Sequence, residues 1–271
     1  MTISKPHNQD ILDNNRSHVQ QNFYSDSATD AGYFAARDQP DSRYRSGVHF
    51  QDFLSRQQAI YSTQDDSCVI DFGCGTGSET VALARAHPRR LFVGIDINER
   101  FIATARARYP DENNVKFFVR EWLDALTMEE FANCTHAISQ QCLSWLPWYE
   151  DPLRAMCAPP VQRVSFSTLA WEGPFDSKVQ HLVSDDPSAS VAHYNVYSIP
   201  RIIEFMKRHQ FALSASHEFQ IDIDLPVPSE PRLGSYTVRD EDGRRMVFSA
   251  WQHLPLVFFH FERFESRKPT I

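Results

Sequence analysis

Residues 68–77 read Cys-Val-Ile-Asp-Phe-Gly-Cys-Gly-Thr-Gly, and 78–85 continue Ser-Glu-Thr-Val-Ala-Leu-Ala-Arg. An apolar run ends in the acid Asp71, then glycine recurs at every second position at Gly73, Gly75 and Gly77, and a helical pattern follows. This predicts a strand, a tight turn and a helix start. That geometry brings backbone N–H groups and a helix N-terminus up to a ligand. Glycine suits the turn because a side chain would collide with the ligand or forbid a positive φ.

The same punctuation repeats downstream. The first strand is expected over Cys68–Phe72, with a helix over 78–87 ended by Pro88. Leu91 to Ile97 is the second strand, followed by a helix from Glu99 to Tyr109 that Pro110 stops. Val115–Val119 is the third strand and a short helix is expected around 127–132. His136 starts the fourth strand, Tyr149 to Met156 is helical, and Val161 to Leu169 is the fifth strand. Strand–helix alternation of this kind gives an α/β fold with a doubly wound, mostly parallel sheet and helices on both faces. After it, 200–210 is a helix. His217 to Leu225 and Arg245 to Phe264 are extended, with no helix between them, so an antiparallel hairpin is expected at the C-terminal edge of the sheet.

Three segments stand apart. Residues 1–45 are rich in Asn, Asp, Ser and Gln. They are expected to be partly disordered, with Tyr24 and Tyr33 available to a lid. The main domain is expected over 46–271, with an inserted substrate segment at about 171–198. With 42% apolar residues and 20 Phe, the chain can fill a core of that size.

Charge and cysteine content narrow the function classes. A net charge of −8 argues against a nucleic-acid footprint, which needs a basic face. No apolar run is long enough for a membrane span and no secretory leader is visible in the first residues. Five cysteines with no Cys-x-x-Cys pair argue against a disulfide framework or a zinc site. A reduced, cytoplasmic setting is therefore expected. No His-x-Glu or His-x-His cluster marks a metal.

A second acid fixes the ligand class. Val93-Gly94-Ile95-Asp96-Ile97 ends a strand in Asp96, whose carboxylate is placed to accept both hydroxyls of a ribose. The Gly-x-Gly-x-Gly spacing differs from the Gly-x-Gly-x-x-Gly of dinucleotide folds, which disfavours a nicotinamide oxidoreductase. Asp-x-Gly-Cys-Gly-Thr-Gly instead closely resembles the first motif of class I, Rossmann-like S-adenosylmethionine-dependent methyltransferases, over roughly residues 68–169. The resemblance implies a seven-stranded sheet and S-adenosylmethionine as the methyl donor. It implies that Gly73, Gly75 and Gly77 line the methionine and ribose of that donor and that Asp71 holds the loop and the amino group. Asp96 would take the ribose, Ile97 would lie on the adenine, and Glu121 with the Trp122 backbone would meet the adenine amine. Arg120-Glu121 stands where Gly-Asp is commoner in the family, and Asp124 is an alternative to Glu121. Ser139 and Gln140 fall beside the sulfonium.

The acceptor is less legible. The [D/N]-P-P-[Y/F] tetrapeptide of base-modifying amino-methyltransferases is absent after the fourth strand, and Ser-Gln-Gln-Cys-Leu-Ser-Trp-Leu stands there. A small-molecule acceptor, methylated at oxygen or nitrogen, is the reading, with a non-catalytic donor-binding protein of the same fold as the alternative. His193, in the inserted segment, is the candidate general base. His49 is a candidate to close the site from the N-terminal side. Oligomeric state is open.

Overall fold

The computed structural model describes residues 45–59, 68–182, 191–227 and 235–264. Tyr24, Tyr33 and the rest of 1–44 lie outside them. Helix α1 (Arg45–Ala59) leads to β1 (Cys68–Phe72), α2 (Ser78–Ala86), β2 (Phe92–Asp96), α3 (Glu99–Arg108) and β3 (Val115–Val119). Two short 3-10 turns, Asp124–Thr127 and Glu130–Asn133, replace the expected helix near 127–132. They precede β4 (Cys134–Ser139), α4 (Glu150–Met156) and β5 (Arg163–Trp171). The chain then forms β6 (Gln180–Leu182), β7 (Val191–His193), β8 (Tyr197–Ser198), α5 (Ile199–Arg208) and β9 (Phe211–Glu218). It ends with β10 (Ser235–Arg239), β11 (Arg245–Ser249), β12 (Gln252–His253) and β13 (Leu256–Arg263).

The main sheet runs β3-β2-β1-β4-β5-β13-β9, with the short β8 continuing beside β5. All pairs from β3 to β5 are parallel, and β13 is antiparallel to both neighbours. The antiparallel ending therefore exists, but β13 lies inside the edge strand β9. Parallel strands need crossovers, and the sequence supplies helices that start and stop cleanly. The Asn98 carboxamide caps α3 by accepting from the N–H groups of Arg100 and Phe101 at 3.0 and 3.3 Å. Ser198 caps α5, with Pro200 in its first turn.

Both faces of the sheet are covered, as the near-continuous apolar strands require. On one face Phe50, Phe53 and Leu54 of α1 bury Val69, Phe92, Ile138 and Phe258. The other face holds Ile70, Phe72, Ile95, Phe166, Phe259 and Phe261. Each such phenylalanine contributes roughly 1.5–3 kcal/mol by leaving water. No described helix is long and apolar enough to cross a membrane.

Three expectations are corrected. Cys68 and Cys134 face each other in register on β1 and β4 and form a disulfide, although the cysteine pattern argued against one. Residues 66 apart in sequence become neighbours only through the parallel pairing, which spacing alone does not reveal. The strand expected over His217–Leu225 ends at Glu218. Ile221 and Leu225 are buried and Asp222 and Asp224 exposed, so the alternation is real. Asp222 pairs with Arg45, and Asp224 with Arg239 and Arg245. Arg245–Phe264 likewise divides into three strands, broken at Ala250 (φ 50) and at Leu254-Pro255.

Adjacent strands also bury a polar chain. His136 Nε2 lies 2.9 Å from Ser165 Oγ, which lies 2.7 Å from His260 Nδ1. Burial, reinforced by the Arg163 charge, lowers the His260 pKa to about 4. The unfolded chain takes up a proton near pH 6.5, whereas the folded chain refuses it until about pH 4. Stability from this group is full above pH 6.5 and is lost as pH falls toward 4. The loss amounts to roughly 3 kcal/mol. Thermal melts across this interval should show a falling midpoint that His260→Gln flattens. An equally steep fall in that variant would remove His260 as its source.

Candidate active site

The parallel register sets the site. Asp71 pairs with Gly94 and Phe72 with Ile95, so β1 and β2 end side by side and their loops meet. The Gly73 and Cys74 N–H groups both donate to the Ile95 carbonyl, at 2.9 and 3.0 Å, and turn the chain sharply. Gly73, Gly75 and Gly77 have φ of 76, 56 and 77, the left-handed region that glycine enters without cost. Two of them also admit close neighbours. A Cβ on Gly73 would stand 2.6 Å from the Cys142 sulfur, and one on Gly77 would run into the Phe117 ring.

Asp96 closes this turn from the other side. Its Oδ2 accepts the Gly75 N–H at 2.9 Å and its Oδ1 accepts the Asn98 N–H at 2.8 Å. A carboxylate offers about four acceptor positions, so it can hold the turn and still accept from a ligand. Asp71 is buried and accepts the Thr80 hydroxyl at 2.6 Å, tying the end of β1 to the first turn of α2. Thr76, within the turn, has a buried hydroxyl with no partner among the described residues. Its position between two glycines was the available sequence signal, and the motif reading passed over it.

The other expected residues fall around this cradle. Ile97 follows Asp96 and is half-buried, while Glu121 is exposed just beyond β3. Trp122 is buried, with its ring 5.1 Å from Phe72 and against the Gly73 turn. Ser139 gives its hydroxyl to the Phe72 carbonyl at 2.8 Å, so it braces β4 against β1. Gln140 is buried at the end of β4.

The segment after β4 is joined to the insertion. Ser144 Oγ lies 2.7 Å from Thr168 Oγ1 and accepts the Leu169 N–H. The buried Asn195 and Tyr197 side chains both donate to the Leu146 carbonyl. The Trp145 and Tyr194 rings are 4.4 Å apart, and the Lys178 ammonium sits 4.1 Å above the Trp148 ring. His193 lies on β7 in this cluster and is buried, not on an exposed loop. Desolvation first, and the Lys178 charge second, lower its pKa, which favours the neutral ring. Lys178 is itself lowered, chiefly by desolvation. His49 is placed otherwise: it stands on α1 against Phe219 and Asp222. Among the described residues no group of three or more His, Cys, Asp or Glu side chains is set to hold a metal.

This architecture has known counterparts. Residues 69–158 match the family model described as a methyltransferase domain. A trans-aconitate 2-methyltransferase of Escherichia coli O1:K1 / APEC is 33% identical over 90 residues, 33% of each chain. The same-named protein of E. coli K12 / DH10B is 35% identical over 80 residues, 29% of each chain. The chain thus matches about a third of the length of these curated relatives. The Synechocystis PCC 6803 magnesium protoporphyrin IX methyltransferase, solved with bound S-adenosylhomocysteine, superposes with a TM-score of 0.57. It is 12% identical, and the match covers 94% of this chain and 100% of that one. The Burkholderia thailandensis 1,6-didemethyltoxoflavin-N1-methyltransferase gives 0.52 at 14% identity, over 98% and 93%. Residues 69–158 thus match a methyltransferase domain, and the chain as a whole has the Rossmann-like fold of these solved methyltransferases.

Gly77 tests the cradle. Gly77→Ala forces a left-handed alanine, at roughly 1–2 kcal/mol, and adds the clash with Phe117. A clear drop in melting temperature is expected by calorimetry, and an unchanged melt would contradict the described turn.

Proposed function

We propose that this protein transfers the methyl group of S-adenosylmethionine to an oxygen or nitrogen of a small-molecule acceptor. The observation that carries the reading is the joined unit of the glycine turn and Asp96, in which the Gly75 N–H holds the carboxylate at 2.9 Å. The residues fit the donor. Glycines leave room for its methionine, Asp96 retains acceptor capacity for ribose hydroxyls, and the Ile97 side chain suits an adenine face.

Bound S-adenosylmethionine supplies an electrophilic methyl on a sulfonium. The protein's work is then alignment, which can supply much of the rate. Gln140, at the end of β4, and the 142–148 segment with Trp145 and Tyr194 would hold the acceptor behind the carbon–sulfur bond. A carboxylate acceptor needs no base. An alcohol or ammonium does, and His193, whose lowered pKa favours the neutral ring, is the candidate in the insertion to take that proton. Trans-aconitate, from the relatives' name, is the first compound to try.

Three measurements test this. Asp96→Ala should weaken S-adenosylmethionine binding in calorimetry by roughly 1.5–3 kcal/mol. Unchanged affinity in a folded variant would refute the ribose assignment. Labelled donor incubated with a fractionated metabolite extract should yield a labelled product. Tight donor binding with no product would instead identify a binding protein, and NADH binding without donor binding would overturn the reading. For a proton-bearing acceptor, His193→Gln should lower turnover about 10²-fold with donor affinity kept. Unchanged turnover would remove His193 from the chemistry.

A further inference from the structure

The first turn of α1 lies outside the 69–158 match, yet it is built into the site. A Cβ on Gly47 would come 2.9 Å from Gln140 Nε2 and 3.6 Å from Glu79 Oε1, so glycine lets α1 seat directly on the end of β4 and the start of α2. One residue earlier, Ser46 Oγ accepts from the Gln141 side-chain amide. Gln141 itself is left-handed, with φ 51, a conformation that costs a non-glycine residue and persists only where its surroundings impose it. They do so here, because the Gln141 N–H donates to Ser167 Oγ on β5 at 2.8 Å while its side chain engages α1. On the outer side, the Arg45 guanidinium makes two 2.8 Å bonds to Asp222, and His49 lies edge-on to Phe219 with ring centres 5.3 Å apart. The turn is thus clamped between the loop after β4 and residues 219–222.

We propose that Gln141 is a positioning residue. Through Ser46 it fixes the first turn of α1 against Gln140, so that the Gln140 amide is held beside the transferring methyl and donor binding is felt in α1. This rests on the donor reading above. A strained backbone at the junction is consistent with a contact selected for placement, since the fold could take the same path with glycine.

Hydrogen exchange on the full chain, with S-adenosylhomocysteine as the probe, tests the proposal. Gln141→Gly removes the side chain while easing the backbone, and Ser46→Ala removes the same bond from its other end. In the wild type, the probe should slow exchange of the 49–54 amides about tenfold. In both variants the slowing should fall below about twofold, with melting and probe affinity in calorimetry kept. Ser46→Thr, which retains the hydroxyl, should behave as wild type. Wild-type slowing in Gln141→Gly overturns the proposal, as does absence of slowing in a wild type that binds the probe. Loss of probe binding by a folded Gln141→Gly would show a direct donor contact and also overturns it. A wild type that fails to bind the probe at all defeats the functional reading first, and this inference with it.

Discussion

The bond between the Gly75 N–H and the Asp96 carboxylate is the constraint on which the rest of the site depends. It exists because β1 and β2 are parallel and in register to their last residues. It ties the glycine turn to the carboxylate at the end of the next strand. Slip β2 by one residue and Asp96 would point to the other face of the sheet. The apolar side chains of both strands, buried against α1 on one side and Trp122 on the other, hold that register.

Around this fixed unit the molecule spends polar side chains on placement. Thr80 holds Asp71, Ser139 holds the end of β1, Ser144 and Thr168 join the loop after β4 to β5, and Asn195 and Tyr197 pin the insertion to Leu146. Nearly all are buried and paired, the condition under which interior polar groups define one arrangement. The glycine turn is braced by these bonds, and residues 171–198 are joined to the sheet through residues 142–148.

What the sequence made legible follows from locality. The strand, glycine turn and helix of 68–86, and Asp96 at the next strand end, are set by residues within a few positions of one another, and the structure holds them nearly as expected. The order of the last strands was not local: β13 inserts between β5 and β9, a choice made by long-range packing of Phe258, Phe259 and Phe261. The Cys68–Cys134 pairing and the Gln141–Ser46 contact, residues 66 and 95 apart, are invisible to spacing for the same reason. The stretch 219–225 shows the limit of periodicity. Its burial alternates like a strand, yet its acids go to arginines of α1, β10 and β11, and its backbone bonds are confined to its ends, Phe219 to Leu256 and Leu225 to Thr237. His193 was singled out by residue chemistry alone, and its burial and the nearby Lys178 emerged only from the fold.

The most direct test of the central claim is a crystal structure of the full chain with S-adenosylhomocysteine. The account predicts both ribose hydroxyls on the Asp96 carboxylate, with that carboxylate still accepting the Gly75 N–H. The homocysteine chain should run along Gly73 to Gly77 toward Gln140. A ligand seated elsewhere, or an Asp96 carboxylate with no ribose contact, would contradict it.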